Sequence, residues 1–521
     1  MANLYHSPLH TMTRYAAIDI GSNSVRMMAA EVDPKAPRKT LAEDRQVTRL
    51  GESVFRDGQI SPPAMEFVVG VLKRFADTYK RLDVAGVRAV ATSAVRDASN
   101  QLEFLERAAA AIGSPVEIIS GQEEARLIHV GVQDRWPHPD QRILIIDVGG
   151  GSAEVIVGED GKMAEAFSRP LGAVRLTEVF LKDDPPAPLQ LHQLDEFLEQ
   201  KLHSVLDRIR RKRFDRVIAT SASASAVVCA ANRIPRARRD EADRRRATTP
   251  QIRKLYQLLA QSGIAARRRV TGIGPRRAEI IVPGAAVFKF ILETLKLPAL
   301  YYSQAGVRDG IIAGLAARGV GHDAGRLDRD QRRAVEELAR RFSVDLKHAR
   351  LVASLAHRLF VELQPLHKLP SEQGRLLEAA ALLRDTGHII SDTAHHKHSQ
   401  YIVANADLAG FNPVERAMVA ELCRYHRKSM PGPKHASYQA LPPDGRRVVS
   451  LLIPLLRIAD ALDRSREQRV EAIDCHVNDG AVALTIVSRK DTGLEQWAAE
   501  RAGESFRLVY GKPLAVARSN G

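Results

Sequence analysis

The sequence predicts an α/β protein in two similar halves facing a cleft, followed by an all-α domain and a small α+β domain at the C-terminus. Three observations predict it. The first is IIDVGGGSAEVIVG, Ile145 to Gly158, where an apolar run ends at Asp147, three glycines follow, and a second apolar run leaves after Glu154. The second is that AAIDIGSNSVRMMAAEV, Ala16 to Val32, repeats that order with Asp19, Gly21 and then Ser22, Asn23 and Ser24. The third is a change of pattern near residue 330, beyond which almost every segment to about Arg464 has helical periodicity.

Each of the first two stretches reads as strand, tight turn, strand. Gly149, Gly150 and Gly151 let backbone N–H groups converge without Cβ interference, which makes a concavity suited to phosphate. Ser152 closes that turn, and Asp147 and Glu154 flank it. A hard cation such as Mg2+ would bridge their oxygens to a phosphate chain there. A single turn of this kind is equally an ordinary hairpin. Two of them, a domain's length apart, predict phosphate-holding turns on either side of a cleft, where ligands collect.

A chain of 521 residues is long enough for about three or four domains, and its 45% apolar content suffices for real cores. The net charge of +15 points to an anionic partner: nucleic acid, polyphosphate or an acidic membrane surface. Cys229, Cys423 and Cys475 lie far apart without metal spacing, as expected of single buried residues in a reducing cytosol. No apolar run reaches the ~18 to 20 residues of a membrane span, and the N-terminus lacks a secretion pattern, so the expected location is cytoplasmic.

In chain order, residues 1–14 read as an extension, 15–129 as the first half and 130–318 as the second. Residues 319–468 read as the helical domain and 469–521 as the α+β domain, with a linker near Gly319 to Leu327. Ser61 to Arg81 is helical, with Pro62 and Pro63 where a helix start tolerates them. Strand Val87 to Ala91 delivers Thr92, Ser93 and Arg96 from its C-terminal end, the usual place for binding groups in α/β sheets. Arg96 there suits a bidentate phosphate clamp, with a surface ion pair as the plainer alternative. ISGQEEARLIHVGV starts a helix with Glu123 and Glu124 in its first turn, where the helix dipole alone favours acidic residues. The arginine-dense stretch 207–269 reads either as ion-paired surface or as an electrostatic track for a polyanion. In the last fifty residues, Cys475 to Val477, Val482 to Val487 and Phe506 to Tyr510 read as strands around a helix from Gly493 to Arg501.

The segments AIDIGSNS, TSAVRDA, IISGQEEARLI, IDVGGGSAEV, VPGAAV, GVRDG, HHKHSQYIVANADLAGF and RYHRK, in this order, resemble the exopolyphosphatase/guanosine pentaphosphate phosphohydrolase (Ppx/GppA) family. The resemblance implies two actin-like (ribonuclease H-like) domains and Mg2+-dependent hydrolysis of the terminal phosphoanhydride of inorganic polyphosphate or of guanosine pentaphosphate. It makes Glu124 the catalytic carboxylate that deprotonates water and Arg96 the neutraliser of phosphoryl oxygens. Gly21, Ser22, Asn23 and Ser24, with Ser93, Gly149, Gly150, Gly151 and Ser152, become the substrate-binding set, and Asp147 and Glu154 the metal ligands. It also implies a homodimer. The segment Ala219-Thr220-Ser221-Ala222-Ser223 lacks the glycine usual in the family, and a Cβ there would crowd a purine, which favours a base-free phosphate chain over ATP.

The helical domain resembles the HD phosphohydrolase fold, with His357, Asp385, His395, His426 and Asp460 at plausible ligand positions. Arg384 stands where the histidine of the His-Asp pair belongs, and an arginine cannot ligate a metal. The expectation is therefore a domain without a second active site, offering His395, His396, Lys397, His398, Arg424, His426, Arg427 and Lys428 to phosphates. The plainer reading is that these histidines pack within the bundle.

The leading functional reading is a processive exopolyphosphatase whose partner is inorganic polyphosphate, with guanosine pentaphosphate hydrolysis as the alternative. A non-enzymatic protein that binds guanosine tetra- or pentaphosphate or RNA has no need of Glu124 beside the metal ligands. A sugar kinase is disfavoured by the crowded turn.

Overall fold

The computed structural model describes residues 12–33, 36–318, 325–478 and 480–519. They form two units, one to residue 320 and one from residue 321. Of the extension expected over 1–14, residues up to 11 lie outside the described residues, while Thr13 and Arg14 already belong to the first strand. Most of the expected linker, 319–324, also lies outside them.

The first unit holds two sheets of one design. In the first, β1 (Thr13–Ile20), β2 (Ser24–Asp33), β3 (Ala36–Val47), β4 (Gly86–Ala91) and β5 (Val116–Ile118) are ordered β3-β2-β1-β4-β5. In the second, β6 (Arg142–Val148), β7 (Ala153–Glu159), β8 (Lys162–Arg169), β9 (Arg216–Thr220), β10 (Arg246–Thr248) and β11 (Ala299–Tyr302) are ordered β10-β11-β9-β6-β7-β8. Each begins with an antiparallel hairpin, β1/β2 or β6/β7, and extends it on the first strand's far side by a parallel neighbour, β4 or β9. The repeat seen in the two sequence motifs is thus a repeat of topology. The hairpin strands are buried along most of their length, as their near-continuous apolar runs require.

Helix Gly121–Arg135 runs through Val130, the residue at which the second half was expected to begin. Helix Val307–Arg318, read in sequence as the end of the second half, packs on the first sheet: Ile311 and Ile312 join Tyr15, Ala17, Met28 and Val90 in one buried cluster. Its close approach to helix Gly121–Arg135 depends on glycine, because a Cβ on Gly310 would collide with the Leu127 carbonyl and one on Gly131 with the Gly306 carbonyl.

The second unit is a helical bundle with Leu346–Glu362, Gly374–Leu383, Pro413–Tyr425 and Pro443–Ala461 around one core. That core continues without a break into the C-terminal strands, since Ile473, Leu484, Ile486 and Phe506 belong to it. The strand expected over Phe506 to Tyr510 is the C-terminal end of helix Gly493–Tyr510. Ala498, Ala502, Phe506 and Tyr510 recur at four-residue spacing, so the helical period outweighs the aromatic preference for strands. The helix stops at Gly511, whose φ of 70° is the left-handed end that glycine adopts freely. The third strand of the sheet lies beyond it, at Leu514–Ser519.

Two expectations for this unit are corrected. His357 does not stand with Asp385 and Asp460; the helix Leu346–Glu362 presents His348 there instead, nine residues and about 13 Å earlier along its axis. Nor do His395, His396 and His426 form a surface, because all three are buried and only Lys397, Arg427 and Lys428 of the expected set are exposed. Arg384 is entirely buried. Its Nε donates to Asp460 Oδ1 at 2.6 Å, and its other nitrogens reach the Ala381 carbonyl and His348 Nε2. Burial by itself would lower the Arg384 pKa, and Asp460 and Asp385 more than offset that. The guanidinium is a fixed cation among carboxylates. Among the described residues no helix is long and apolar enough to cross a membrane.

Candidate active site

The two glycine-containing turns close in the same way. The Gly21 N–H donates to the Ser24 carbonyl at 3.1 Å and the Gly149 N–H to the Ser152 carbonyl at 3.0 Å. They face one another so closely that a Cβ on Gly150 would stand 3.0 Å from the Asn23 nitrogen. Helix Ala173–Phe180 takes up the carbonyls of the second turn: Ala173 N–H donates to Gly149 and the N–H groups of Val174 and Arg175 to Gly150. That turns the carbonyls away from the first turn. Among the described residues the N–H groups of Ser22, Asn23, Gly150 and Gly151 donate to no protein acceptor. They are the donors a phosphoryl group would use.

Sequence reasoning missed Arg175, which binds this edge together. Its Nε donates to the Gly151 carbonyl at 2.8 Å and a terminal nitrogen to Ser93 Oγ at 3.0 Å, while it pairs with Asp97 and stacks on Phe55. Ser22 Oγ accepts from the Ala94 N–H at 3.1 Å. Ser22 and Ser93 are therefore engaged as struts between the turns.

Helix Gly121–Arg135 separates its two acidic residues by chemistry. Ser120 caps it, its Oγ accepting from the Glu123 N–H. Burial alone would raise the Glu123 pKa, but Arg126 and Arg88 hold it down to about 2, and it is spent in those ion pairs. Glu124, one position on, turns toward the glycine turns. Its Oε2 is buried without a hydrogen-bond partner, with Arg96 4.0 Å away. Arg96 donates to the Ile119 carbonyl at 2.6 Å, so it stands beside Glu124 and not at the cavity wall.

Glu124 belongs to a group of four carboxylates, of which it and Glu154 are buried and Asp19 and Asp147 partly buried. Asp147 and Glu154 are paired across the β6/β7 hairpin, and Asp19 holds the matching place on β1. Thr220 donates to Asp147, and Ser168 Oγ to Glu154 Oε1 at 2.8 Å, while Glu154 Oε2 has no partner. Burial pushes Asp147 up to about 6. Burial and then Asp147 push Glu154 up to about 8, and burial with the nearby Glu154 raises Glu124 well above the ordinary carboxylate range. Burial raises Asp19 likewise. Orphaned carboxylate oxygens in a shared negative field are what a divalent cation would satisfy.

A cavity of about 790 Å³ opens from these groups, lined by both turns, Asp19, Glu124 and Asp147 and by Arg26, Arg45, Arg236, Arg239, Arg277 and Arg308. Three of these arginines, Arg26, Arg45 and Arg277, carried no signal in the sequence, and Arg308 entered only within the segment GVRDG. Arg308 arrives on helix Val307–Arg318, its side chain held by the Met27 carbonyl at 3.0 Å, and Arg277 donates to Ser223 Oγ at 3.3 Å. They oppose one another: the field of Arg26 and then burial bring Arg45 down to about 8, and burial and then Arg26 bring Arg277 to about 10. Cations crowded at such cost invite an anion of several charges. In the arginine-dense stretch both expected readings occur. Arg208, Arg210 and Lys212 pair with Glu165, Asp207 and Glu159, whereas Arg236 and Arg239 face the cavity.

Ser221, in the segment without glycine, has φ of 84°, a backbone setting that glycine takes at little cost. Ser221 accepts the Ser223 and Ala224 N–H groups on its Oγ and lines the cavity with Ala222 and Ser223.

Residues 28–318 match the Ppx/GppA phosphatase family and residues 331–499 match domain III of the same family. Among solved structures, the Ppx/GppA enzyme of Aquifex aeolicus is 30% identical over 58% of this chain and all of its own, with a TM-score of 0.52. An exopolyphosphatase from Cytophaga hutchinsonii is 25% identical over 58% of this chain and 96% of its own, with a TM-score of 0.54. An exopolyphosphatase-like protein is 26% identical over 58% of this chain and 97% of its own, also at 0.54. With both of its units matched, the chain belongs to the Ppx/GppA phosphatase family.

Proposed function

We propose that this protein is an exopolyphosphatase that removes orthophosphate processively from the end of inorganic polyphosphate, in a cleft between two actin-like halves. One observation carries the proposal: Glu124, a buried carboxylate with a free oxygen, lines the same cavity as both phosphate-sized turns. The terminal phosphoryl group would rest on the N–H groups of Asn23, Gly150 and Gly151. Glu124 then takes a proton from a water in line with the scissile bond as the water oxygen attacks phosphorus. The bridging oxygen leaves on the remaining chain, which is shorter by one phosphate. A base whose pKa is raised above the ordinary carboxylate range is matched to this task. The arginines on the far side of the cavity would hold the following phosphates, and a chain held at many points remains bound after each cut.

In this proposal Asp147 and Glu154 would hold Mg2+, which would supply neutralisation of charge on the terminal phosphate. Guanosine pentaphosphate presents the same terminal anhydride and is the second reading. The side chains of Ser221, Ala222 and Ser223 narrow the place for a base and favour the base-free chain. A panel of long and short polyphosphate, guanosine pentaphosphate and ATP, with and without Mg2+, tests this. Preference for long polyphosphate supports it, and turnover of the nucleotide alone refutes it.

The raised carboxylates set a pH dependence. Asp147 keeps its proton to about pH 6 and Glu154 to about pH 8, whereas the unfolded chain releases both near 4. In metal-free protein these protons stabilise the fold fully below the unfolded values, and stability falls as pH rises toward about 8. A divalent cation must displace them, so the rise in melting temperature produced by Mg2+ is expected to be larger at pH 8 than at pH 6. Asp147→Asn with Glu154→Gln should abolish the rise at both. Equal rises at both pH values in the wild type would remove these residues as ligands.

A further inference from the structure

The carbonyls of the second glycine turn are all held from one side. Helix Ala173–Phe180 donates the Ala173 N–H to Gly149 and the Val174 and Arg175 N–H groups to Gly150, and the Arg175 side chain donates Nε to the Gly151 carbonyl at 2.8 Å. The peptide bonds here are trans, so each carbonyl points opposite to the N–H of the residue that follows it. Holding these carbonyls therefore aims the N–H groups of Gly150, Gly151 and Ser152 the other way. The helix comes this close because it is preceded by glycine: a Cβ on Gly172 would lie 2.3 Å from the Gly150 carbonyl carbon. Backbone donors of one half fix Gly149 and Gly150. Gly151 depends on a side chain.

That side chain belongs to the second half, while its other contacts belong to the first. A terminal nitrogen of Arg175 donates to Ser93 Oγ at 3.0 Å and pairs with Asp97, and the guanidinium lies 3.9 Å from the centre of the Phe55 ring. Ser93 and Asp97 bound the short helix Ser93–Asp97, and Phe55 lies on helix Leu50–Asp57. Phe55 also packs on Ala173, Val174 and Ile280 of the second half, and Arg49 pairs with Glu279 across the same seam. One planar fork is thus held in two directions, Nε by the turn of its own half and a terminal nitrogen by the opposite half. If the halves part, Ser93, Asp97 and Phe55 withdraw together, and nothing on the first half then keeps the guanidinium against Gly151.

We propose that Arg175 is a positioning residue that sets the phosphate turn when the two halves close; this rests on the phosphatase reading of the cleft. Arg175 does not line the cavity, so it acts through the Gly151 peptide and not on the substrate. Closure then does two things at once. It shuts water out of the cleft, and it fixes the N–H donors where charge gathers on the phosphoryl oxygens during transfer. An open cleft binds the chain through its arginines without a turn set for the reaction.

The test measures kcat and KM on long polyphosphate together with amide hydrogen exchange of the substrate-free full chain. Arg175→Lys keeps the charge and can still pair with Asp97, but one ammonium cannot span Gly151 and Ser93. It is expected to lower kcat by about 10²-fold, the usual effect of a displacement of about 1 Å at a reacting centre, with KM within about threefold of the wild type. Asp97→Ala, at an exposed position, should lower kcat as well and add nothing to Arg175→Lys, since both release the same contact. Exchange should rise in both variants along helices Leu50–Asp57 and Ala173–Phe180, which meet across the seam. A purely structural contact would lower the melting temperature and leave the kcat of the folded protein unchanged. Wild-type kcat in Arg175→Lys, a fully additive loss in the double variant, or unchanged exchange would each overturn the proposal. Exchange is read without substrate, so it still judges the clasp if the wild type hydrolyses no phosphoanhydride, a result that refutes the phosphatase reading instead.

Discussion

Replacing Glu124 with alanine is expected to lower orthophosphate release from long polyphosphate by about 10²- to 10⁴-fold, the usual worth of a positioned general base. Affinity for the chain should change little, because in the proposed complex the turns and the cavity arginines would hold it and Glu124 would meet only the attacking water. The loss should appear in kcat and not in KM. Removing a buried acid whose Oε2 has no partner, and whose neighbours Glu154, Asp19 and Asp147 repel it, should not destabilise the fold. A melting temperature equal to or above the wild type therefore separates a catalytic loss from a folding one. Turnover near the wild-type rate would remove Glu124 from the reaction. The same replacement at Glu123 acts oppositely: it breaks the ion pairs with Arg88 and Arg126 and should lower stability first.

The second large effect lies in the helical unit. Arg384→Met is expected to cost about 3–5 kcal/mol, because the fully buried guanidinium is the counter-ion of buried Asp385 and partly buried Asp460. Asp460 and Asp385 are held below the ordinary carboxylate range despite burial, Arg384 leading among the causes that lower each, and without it they are left uncompensated. His348, raised by Asp460 and Asp463, offers only partial relief. Chemical denaturation of the full chain should show an earlier transition, with polyphosphate hydrolysis retained below it. A loss under about 1 kcal/mol would mean that the carboxylates protonate without penalty.

Much of the first unit is readable in the sequence because its signals are local. The Asp-Gly turns at 19–24 and 147–154 lie between apolar strands, and a hairpin is made of neighbours in sequence, so the residues that specify it are adjacent. Glu123 and Glu124 are different. Both are acidic residues at a helix start, and only Arg88 on β4 and Arg126 decide that Glu123 is consumed in pairing. The resemblance to a family separated them before the geometry did. In the C-terminal stretch, Phe506 and Tyr510 have the preference of strands taken singly and the period of a helix taken with Ala498 and Ala502.

What the sequence determined by itself was the pair of turns, the alternation of strands and helices, and the change to a helical bundle after residue 330. Each follows from periodicity and turn chemistry within about fifteen residues. Only the tertiary structure decided which charges meet. Arg26, Arg45, Arg277 and Arg308 come from segments up to 282 positions apart, and His348 and Asp460 from two helices and Arg384 from the end of a third. Charge interactions depend on distance and burial in three dimensions, and spacing along the chain carries almost none of that information.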